Sequence, residues 1–400
     1  MRLPRRPVPA VAVPLLLLAA GCGAPPGSPP VDAPPATAAT TATASPAGPR
    51  PFTLLATGDV LPHAEIIRQA NRDAGGEGYD FGPMFADVKP LISAADLAIC
   101  HMETVYGPDG GPFTGYPTFK SPPQVARALK DAGYTSCDTA SNHTLDDGQA
   151  GIRRTLDAMD AVGLAHTGSA RDEAEAGRPA LLRAGGATVA QLAYTYGTNG
   201  IPLPADRPWA VNLIDRDRIL ADARAARAAG ADLVVVSVHW GTEWQDAPND
   251  QQLTLARELA AGRAAGKAGD GPAVDLILGT HAHIPQAYER IGDTWTVYGL
   301  GDQLAGRMIN YSDAEDPRGN WSSIARFTFT PPGTPGGRWT VAKAEFLPQI
   351  TDLGPPARVL DLRQAARNAP DRTDYARALD HIGTVVLSRG AAAAGLATAP

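Results

Sequence analysis

The chain has 400 residues, of which 44% are apolar and 19% charged, enough for one large core or two modest ones. Its 35 basic and 42 acidic residues leave a net charge of −7. The basic block is confined to Arg2, Arg5 and Arg6, which excludes nucleic-acid binding driven by a positive surface, and three cysteines exclude a disulfide scaffold or a thiolate zinc module.

The N-terminus reads as an address. A basic start, the apolar run Val11–Ala20 and small residues ahead of Cys22 have the layout of a secretory signal, in a run too short for a comfortable membrane span. Ala19-Ala20-Gly21-Cys22 resembles a bacterial lipobox. This implies cleavage after residue 21, acylation of Cys22, and a protein exported and held at the outer face of the cell membrane. Residues 22–50 are Ala, Pro, Thr, Ser and Gly with little else and form a solvated spacer.

Beyond residue 50, short apolar runs predict strands at Thr53–Thr57, Asp96–Cys100, Tyr134–Ala140, Thr188–Tyr194, Leu233–Val238, Leu276–Leu278 and Trp295–Tyr298. A further strand is predicted over Arg338–Leu347. Helical spacing predicts helices at Gln124–Ala132, Gly151–Val162, Ile219–Ala229 and Gln252–Ala261. Alternating strands and helices imply a layered α/β fold. The strands are apolar enough to be covered on both faces. One folded domain spans 51–350. Residues 351–400 form a partly helical extension whose Gly/Ala-rich end, 388–400, is expected to fray.

Polar residues follow the strands. Asp59, His101 with Glu103, Asn142 with His143, His239, and His281 with His283 each stand where a strand stops. In α/β sheets that edge binds ligands. Imidazole, carboxylate and amide oxygen together suit zinc, manganese or iron, and there are donors enough for two ions, the arrangement that serves hydrolysis or displacement at phosphorus.

Gly58-Asp59-Val60, HMET at 101–104, SNHTLDDG at 141–148, HWGTEW at 239–244, GTHAHIPQ at 279–286 and YGLGD at 298–302 occur in this order. Together they resemble the CapA family of poly-γ-glutamate capsule synthesis proteins, itself similar to calcineurin-like metallophosphoesterases. The resemblance covers about residues 52–305. It implies a metallophosphoesterase-like fold with central sheets flanked by helices. It implies that Asp59, Glu103, Asn142, His239, His281 and His283 ligate metal, with His143 as the general acid or base. Leu61 stands where ordinary metallophosphoesterases carry a further histidine ligand, and His101 stands where the family has asparagine. The implied partners are an anionic polymer or phosphoester substrate, capsule-synthase subunits and, through Cys22, the membrane, with no nucleic acid. A metal-dependent hydrolase and a noncatalytic polymer-binding or assembly protein both stay open.

Around this set, His101 and Asp96 are candidates for a ligand or for support behind one. Lys120, Trp240 and Trp244, with Tyr116, are candidates for substrate contact. His63 and His166 read as loop residues and His381 as a surface residue of a late helix. Cys100 and Cys137 read as two buried thiols, with a disulfide open to them if their strands are neighbours.

Overall fold

A computed structural model describes residues 48–264, 271–334 and 336–399. The signal, Cys22 and almost all of the spacer lie outside the described residues. The strands are β1 Phe52–Leu61, β2 Leu97–Met102, β3 Ser136–Asp138, β4 Ala165–Thr167, β5 Ala180–Ala184, β6 Ala187–Thr195, β7 Leu233–His239, β8 Leu276–Thr280, β9 Tyr288–Ile291, β10 Thr294–Val297, β11 Asp302–Ala305, β12 Trp321–Thr330, β13 Thr340–Asp352, β14 Arg358–Asp361 and β15 Leu396–Thr398. The helices are α1 Ala64–Asp73, α2 Lys89–Ser93, α3 Gln124–Ala132, α4 Gly148–Val162, α5 Glu173–Ala176, α6 Arg216–Ala228, α7 Asp250–Ala261, α8 Leu362–Asn368 and α9 Thr373–Val386.

Two sheets result. The larger runs β14-β13-β12-β1-β2-β3-β4, with β11 also on β1 and β15 also on β13; the smaller runs β5-β6-β7-β8-β10-β9. Strands β1 to β4 are mutually parallel, as are β6, β7, β8 and β10. Their carboxyl ends deliver the polar residues.

Alternation along β1 explains the layering. Phe52, Leu54 and Ala56 enter one apolar cluster with Val189, Val235, Leu276 and Val297 of the smaller sheet. Leu55 and Val60 enter a second cluster with Ile66, Val125, Leu129 and Met159 of α1, α3 and α4. A third cluster joins Val234, Val236 and Ile277 to Ile219, Ala223, Leu255 and Leu259 of α6 and α7. The two sheets therefore pack face to face with helices outside each, a mixed α/β sandwich whose central strands are buried on both sides.

Several boundaries differ from the sequence expectation. β1 does not stop before Gly58-Asp59 but continues to Leu61, because β11 arrives alongside and pairs Asp59 with Asp302. β3 is only three residues long. The antiparallel pair β12 and β13 extends the larger sheet through ten paired positions. The described part of the Gly/Ala-rich end, up to residue 399, is built into the fold and not frayed. Residues 396–398 pair with β13 as β15, and Ala391 and Leu396 are buried in the inter-sheet cluster. Cys100 and Cys137 are register partners on β2 and β3, and they form a disulfide with Cα atoms 4.4 Å apart. The expectation of free thiols is corrected by that adjacency.

Candidate metal centre

The parallel strands of the larger sheet place Asp59 and His101 side by side in register. Glu103 follows one residue after β2. From the smaller sheet, His239 closes β7, while His281 and His283 follow β8. Both histidines after β8 have positive φ, 87° and 59°, so a tight turn folds them back over the sheet edge. The His281 N–H donates to Asp59 Oδ2 at 3.0 Å, which links the two sheets through the site.

The donor atoms converge. His101 Nε2 lies 3.6 Å from Asp59 Oδ1, and His239 Nε2 lies 3.7 Å from Glu103 Oε1. Asn142 Oδ1 is 2.9 Å from the same His239 nitrogen. One ligand atom from each of Asp59, His101 and His239 falls within 4.8 Å of the others, and so does one from each of Asp59, Glu103 and His283.

Whether these residues fit a cation is tested by what they lack. Asp59 Oδ1, His101 Nε2, both Glu103 carboxylate oxygens, His281 Nδ1 and Asp302 Oδ2 are buried without a hydrogen-bond partner. Buried polar groups are nearly always partnered, and an unpaired buried charge costs several kcal/mol. Six such atoms on five residues of one edge, all oxygen or imidazole nitrogen, are the donor set of a borderline divalent cation. The residues fit the group.

Burial and mutual charge shift these groups in both directions. Burial lifts the Asp59 carboxyl above its ordinary range although His101 and His283 pull it down. Burial, with the Asp59 charge, pushes Glu103 well up, and burial lifts Asp302 to about 7. Burial and the neighbouring histidines hold His239 and His281 well down, so both present neutral imidazoles. Burial opposes protonation of His101, but the Asp138 carboxylate and its hydrogen bond prevail and raise it to about 9.

A cavity of about 370 Å³ opens beside the cluster, lined by His63, Tyr116, Phe119, His143, Trp244, His283 and Tyr311 among others. His143 reaches it with Nδ1–H donated to Asp146 Oδ2 at 2.7 Å, and Asp146 is itself fixed by the Phe119 N–H at 2.7 Å. That bond leaves His143 Nε2 as the free nitrogen. Trp244, with φ of 68°, stands 6.0 Å from the His283 ring.

Other candidates lie elsewhere. Asp96 sits at the start of β2, where its carboxylate takes the Thr53 N–H at 2.9 Å and pairs with Arg50 at 2.7 Å. It is at the opposite end of the strand from His101, so it neither ligates nor supports a ligand. Trp240 is fully buried, with its indole N–H donated to the Tyr298 carbonyl at 2.9 Å. It is a packing residue out of reach of a substrate. Lys120 faces Asp147 at 3.9 Å and does not line the cavity. His63 precedes α1 with Nδ1 3.0 Å from the Leu61 carbonyl, and burial pushes it down to about 4. His166 pairs with Asp160 at 3.1 Å. His381 is half-covered, 3.2 Å from Asp246 and against the Trp321 ring.

Three acidic residues were not singled out by sequence. Asp302 receives the His283 Nδ1–H at 3.0 Å. Its signal was present, since Gly301-Asp302 repeats the strand-associated Gly-Asp of residues 58–59. Asp138 accepts the His101 Nδ1–H. It was hidden inside an apolar run read as one long strand. Glu243, in HWGTEW, offers an oxygen within 4.8 Å of donors on His281 and His283.

Among known proteins, the capsule biosynthesis protein CapA of Bacillus anthracis is 27% identical over 183 residues, 45% of this chain and 42% of that protein. The PGA biosynthesis protein CapA of Bacillus subtilis is 26% identical over 239 residues, 55% of this chain and 56% of that protein. The matches thus span about half the length of these relatives. Among solved structures, the Haemophilus influenzae NAD nucleotidase aligns with a TM-score of 0.43 and 10% identity over 88% of this chain and 58% of that one. A Thermus thermophilus 5'-nucleotidase precursor aligns with a TM-score of 0.41 and 15% identity over 78% and 54%. The family pattern of the bacterial capsule synthesis protein PGA_cap matches residues 53–307, more than half of the chain and the whole of the buried cluster, and the chain belongs to that family.

Proposed function

We propose that this protein acts in the synthesis or processing of a capsule or other anionic cell-surface polymer, of the poly-γ-glutamate type, through a divalent-metal centre of hydrolase type. The observation that carries the reading is the set of six buried, unpartnered donor atoms on Asp59, His101, Glu103, His281 and Asp302. The relatives named for capsule and PGA biosynthesis supply the polymer context.

Asp59, Glu103, Asn142, His239, His281 and His283 would hold manganese, zinc or iron, as one ion or two. Such an ion supplies Lewis-acid polarisation of the bond to be cut and a more acidic water. The protein's own part is positional. Asp146 fixes the His143 tautomer, so Nε2 of this cavity-lining histidine is left as the group that moves a proton. The His281 N–H on Asp59 and the Asp302 carboxylate on His283 lock two donors in place. Phe119 and Trp244 give the cavity apolar walls, which strengthens electrostatic interactions inside it. Export and acylation of Cys22 would set this centre at the outer membrane face beside capsule-synthase subunits; a Cys22→Ala chain should then leave the membrane fraction.

The test is metal content with turnover. The protein purified without added metal should carry one to about two equivalents, lost in an Asp59→Ala/His281→Ala double variant. His143→Ala should keep the metal and lose about 10²–10⁴-fold in turnover on γ-glutamyl polymers or phosphodiesters. Absence of metal, with no uptake of added manganese or zinc, overturns the reading. Metal without turnover on either substrate class leaves polymer binding or assembly as the role of the centre.

A further inference from the structure

Asp59 is the only donor that β1 sends into the centre. Leu61, two residues on and facing the same way, is packed in an apolar cluster with Phe119, Ala305 and Met308. His63 turns its Nδ1 to the backbone, 3.0 Å from the Leu61 carbonyl and 3.2 Å from the Gly306 nitrogen, where it can bond to one or the other, and it belongs to none of the converging donor groups among the described residues. A nitrogen donor on the Asp59 side has to come from another strand.

We infer that His101 is that donor, a metal ligand supplied from β2, and that Asp138 on β3 is the positioning residue that aims it. The inference rests on the metal-centre reading above. Three observations carry it. His101 is the register partner of Asp59, and Asp138 is the register partner of His101, so the three side chains stand in a row across adjacent parallel strands. The Asp138 carboxylate accepts the Nδ1–H, which turns Nε2 towards Asp59 and leaves it buried without a partner. The gap from that nitrogen to Asp59 Oδ1, also unpartnered, is 3.6 Å. This is long for a hydrogen bond and close to the ~3.0–3.5 Å between two ligands each about 2.1 Å from one ion.

A carboxylate behind a ligating imidazole fixes its tautomer and raises its basicity. The Cys100–Cys137 disulfide lies one residue before His101 and one before Asp138, and it pins the two strands in the register that this contact needs. The competing role for His101 is a buried ion pair with Asp59 and Asp138 and no metal contact. The two roles differ in what the metal senses.

The experiment loads the full chain with manganese(II), counts the imidazole nitrogens coupled to it by pulsed electron paramagnetic resonance, and measures affinity by chelator competition. His101→Ala should remove one coupled imidazole and weaken the affinity of one ion at least tenfold. Asp138→Asn should weaken that affinity by about 10–100-fold. His101→Asn, which installs the residue typical of the resembled family, should fold and also lack the imidazole coupling. Unchanged coupling and affinity in His101→Ala, or in His101→Asn if the alanine variant does not fold, overturn the inference and leave the metal-centre reading standing. A wild-type chain that takes up no manganese overturns both.

Discussion

At the scale of single residues, the Gly58-Asp59 pair shows how tightly the site edge is built. A Cβ at position 58 would lie 1.7 Å from the Gly301 carbonyl oxygen, and the Asp59 N–H donates to that same oxygen at 3.1 Å. The bare glycine allows β1 to approach residue 301 closely enough for Asp59 to pair with Asp302. Gly58→Ala must push backbone from backbone, because no flexible side chain can yield. The expected cost is about 3 kcal/mol or more, read by urea unfolding, with loss of bound metal. Gly197→Ala is the control, since nothing lies within 4 Å of its added Cβ, and it should stay within about 0.5 kcal/mol of wild type. Equal effects of the two substitutions would show that the close approach is not what limits position 58. Residues of this kind were legible in the sequence as donors, because Asp59, His239, His281 and His283 each follow an apolar run. Their supporting carboxylates were legible only in part. Asp146, three residues after His143, is offered together with Asp147 by local spacing as a partner for that ring, and the structure selects Asp146; Asp138 points at a histidine 37 residues away, and nothing in local spacing marks that pairing.

At the scale of elements, β2 and β3 decide the geometry. β3 has only three residues, too few for its ladder bonds alone to fix register strongly. The disulfide adds a covalent tie between neighbours separated by 37 residues in sequence. Closing a loop of that length restricts the unfolded chain by roughly 2–4 kcal/mol. Both sulfurs are buried under α3 and α4 in the second apolar cluster. Reductant should therefore leave the folded protein oxidised under native conditions, and cleave the bond only as the protein unfolds. A Cys100→Ala/Cys137→Ala chain should lose about 2–4 kcal/mol and bind metal more weakly, because His101 and Asp138 adjoin the two sulfurs. Rapid thiol labelling of the native protein after mild reduction would contradict this. The sequence placed both cysteines in consecutive strands, but whether those strands are spatial neighbours is a matter of topology. Apolar runs alone do not order strands within a sheet.

At the scale of the whole molecule, the larger sheet joins two kinds of pairing. Its parallel half carries the Asp59, His101 and Glu103 side of the centre, and its antiparallel half, β12, β13 and β14, braces β1 from the other side. The sequence pattern reached the parallel half because βα alternation is a strong signal. It did not reach β12 or the closing β15, whose partners come from distant parts of the chain. The brace has its own electrostatic tie. Arg326 and Glu345 are cross-strand partners, joined by two hydrogen bonds of 3.0 Å, and Lys343 adds an ion pair at 2.8 Å. Burial alone would raise the Glu345 carboxyl, but the Arg326 and Lys343 hydrogen bonds outweigh it and hold it below its ordinary 4.5. A carboxyl depressed by folding stabilises the native state above its unfolded value and loses that contribution as pH falls through the folded one. Arg326→Met should therefore cost on the order of 1 kcal/mol at pH 7. The difference from wild type should shrink as the pH is taken below about 4.5 and vanish once Glu345 is protonated in both states. Urea unfolding of the two proteins at several pH values reads this directly. A deficit that stays constant down to pH 3 would mean that Arg326 stabilises the sheet through its aliphatic stem and not through its charge.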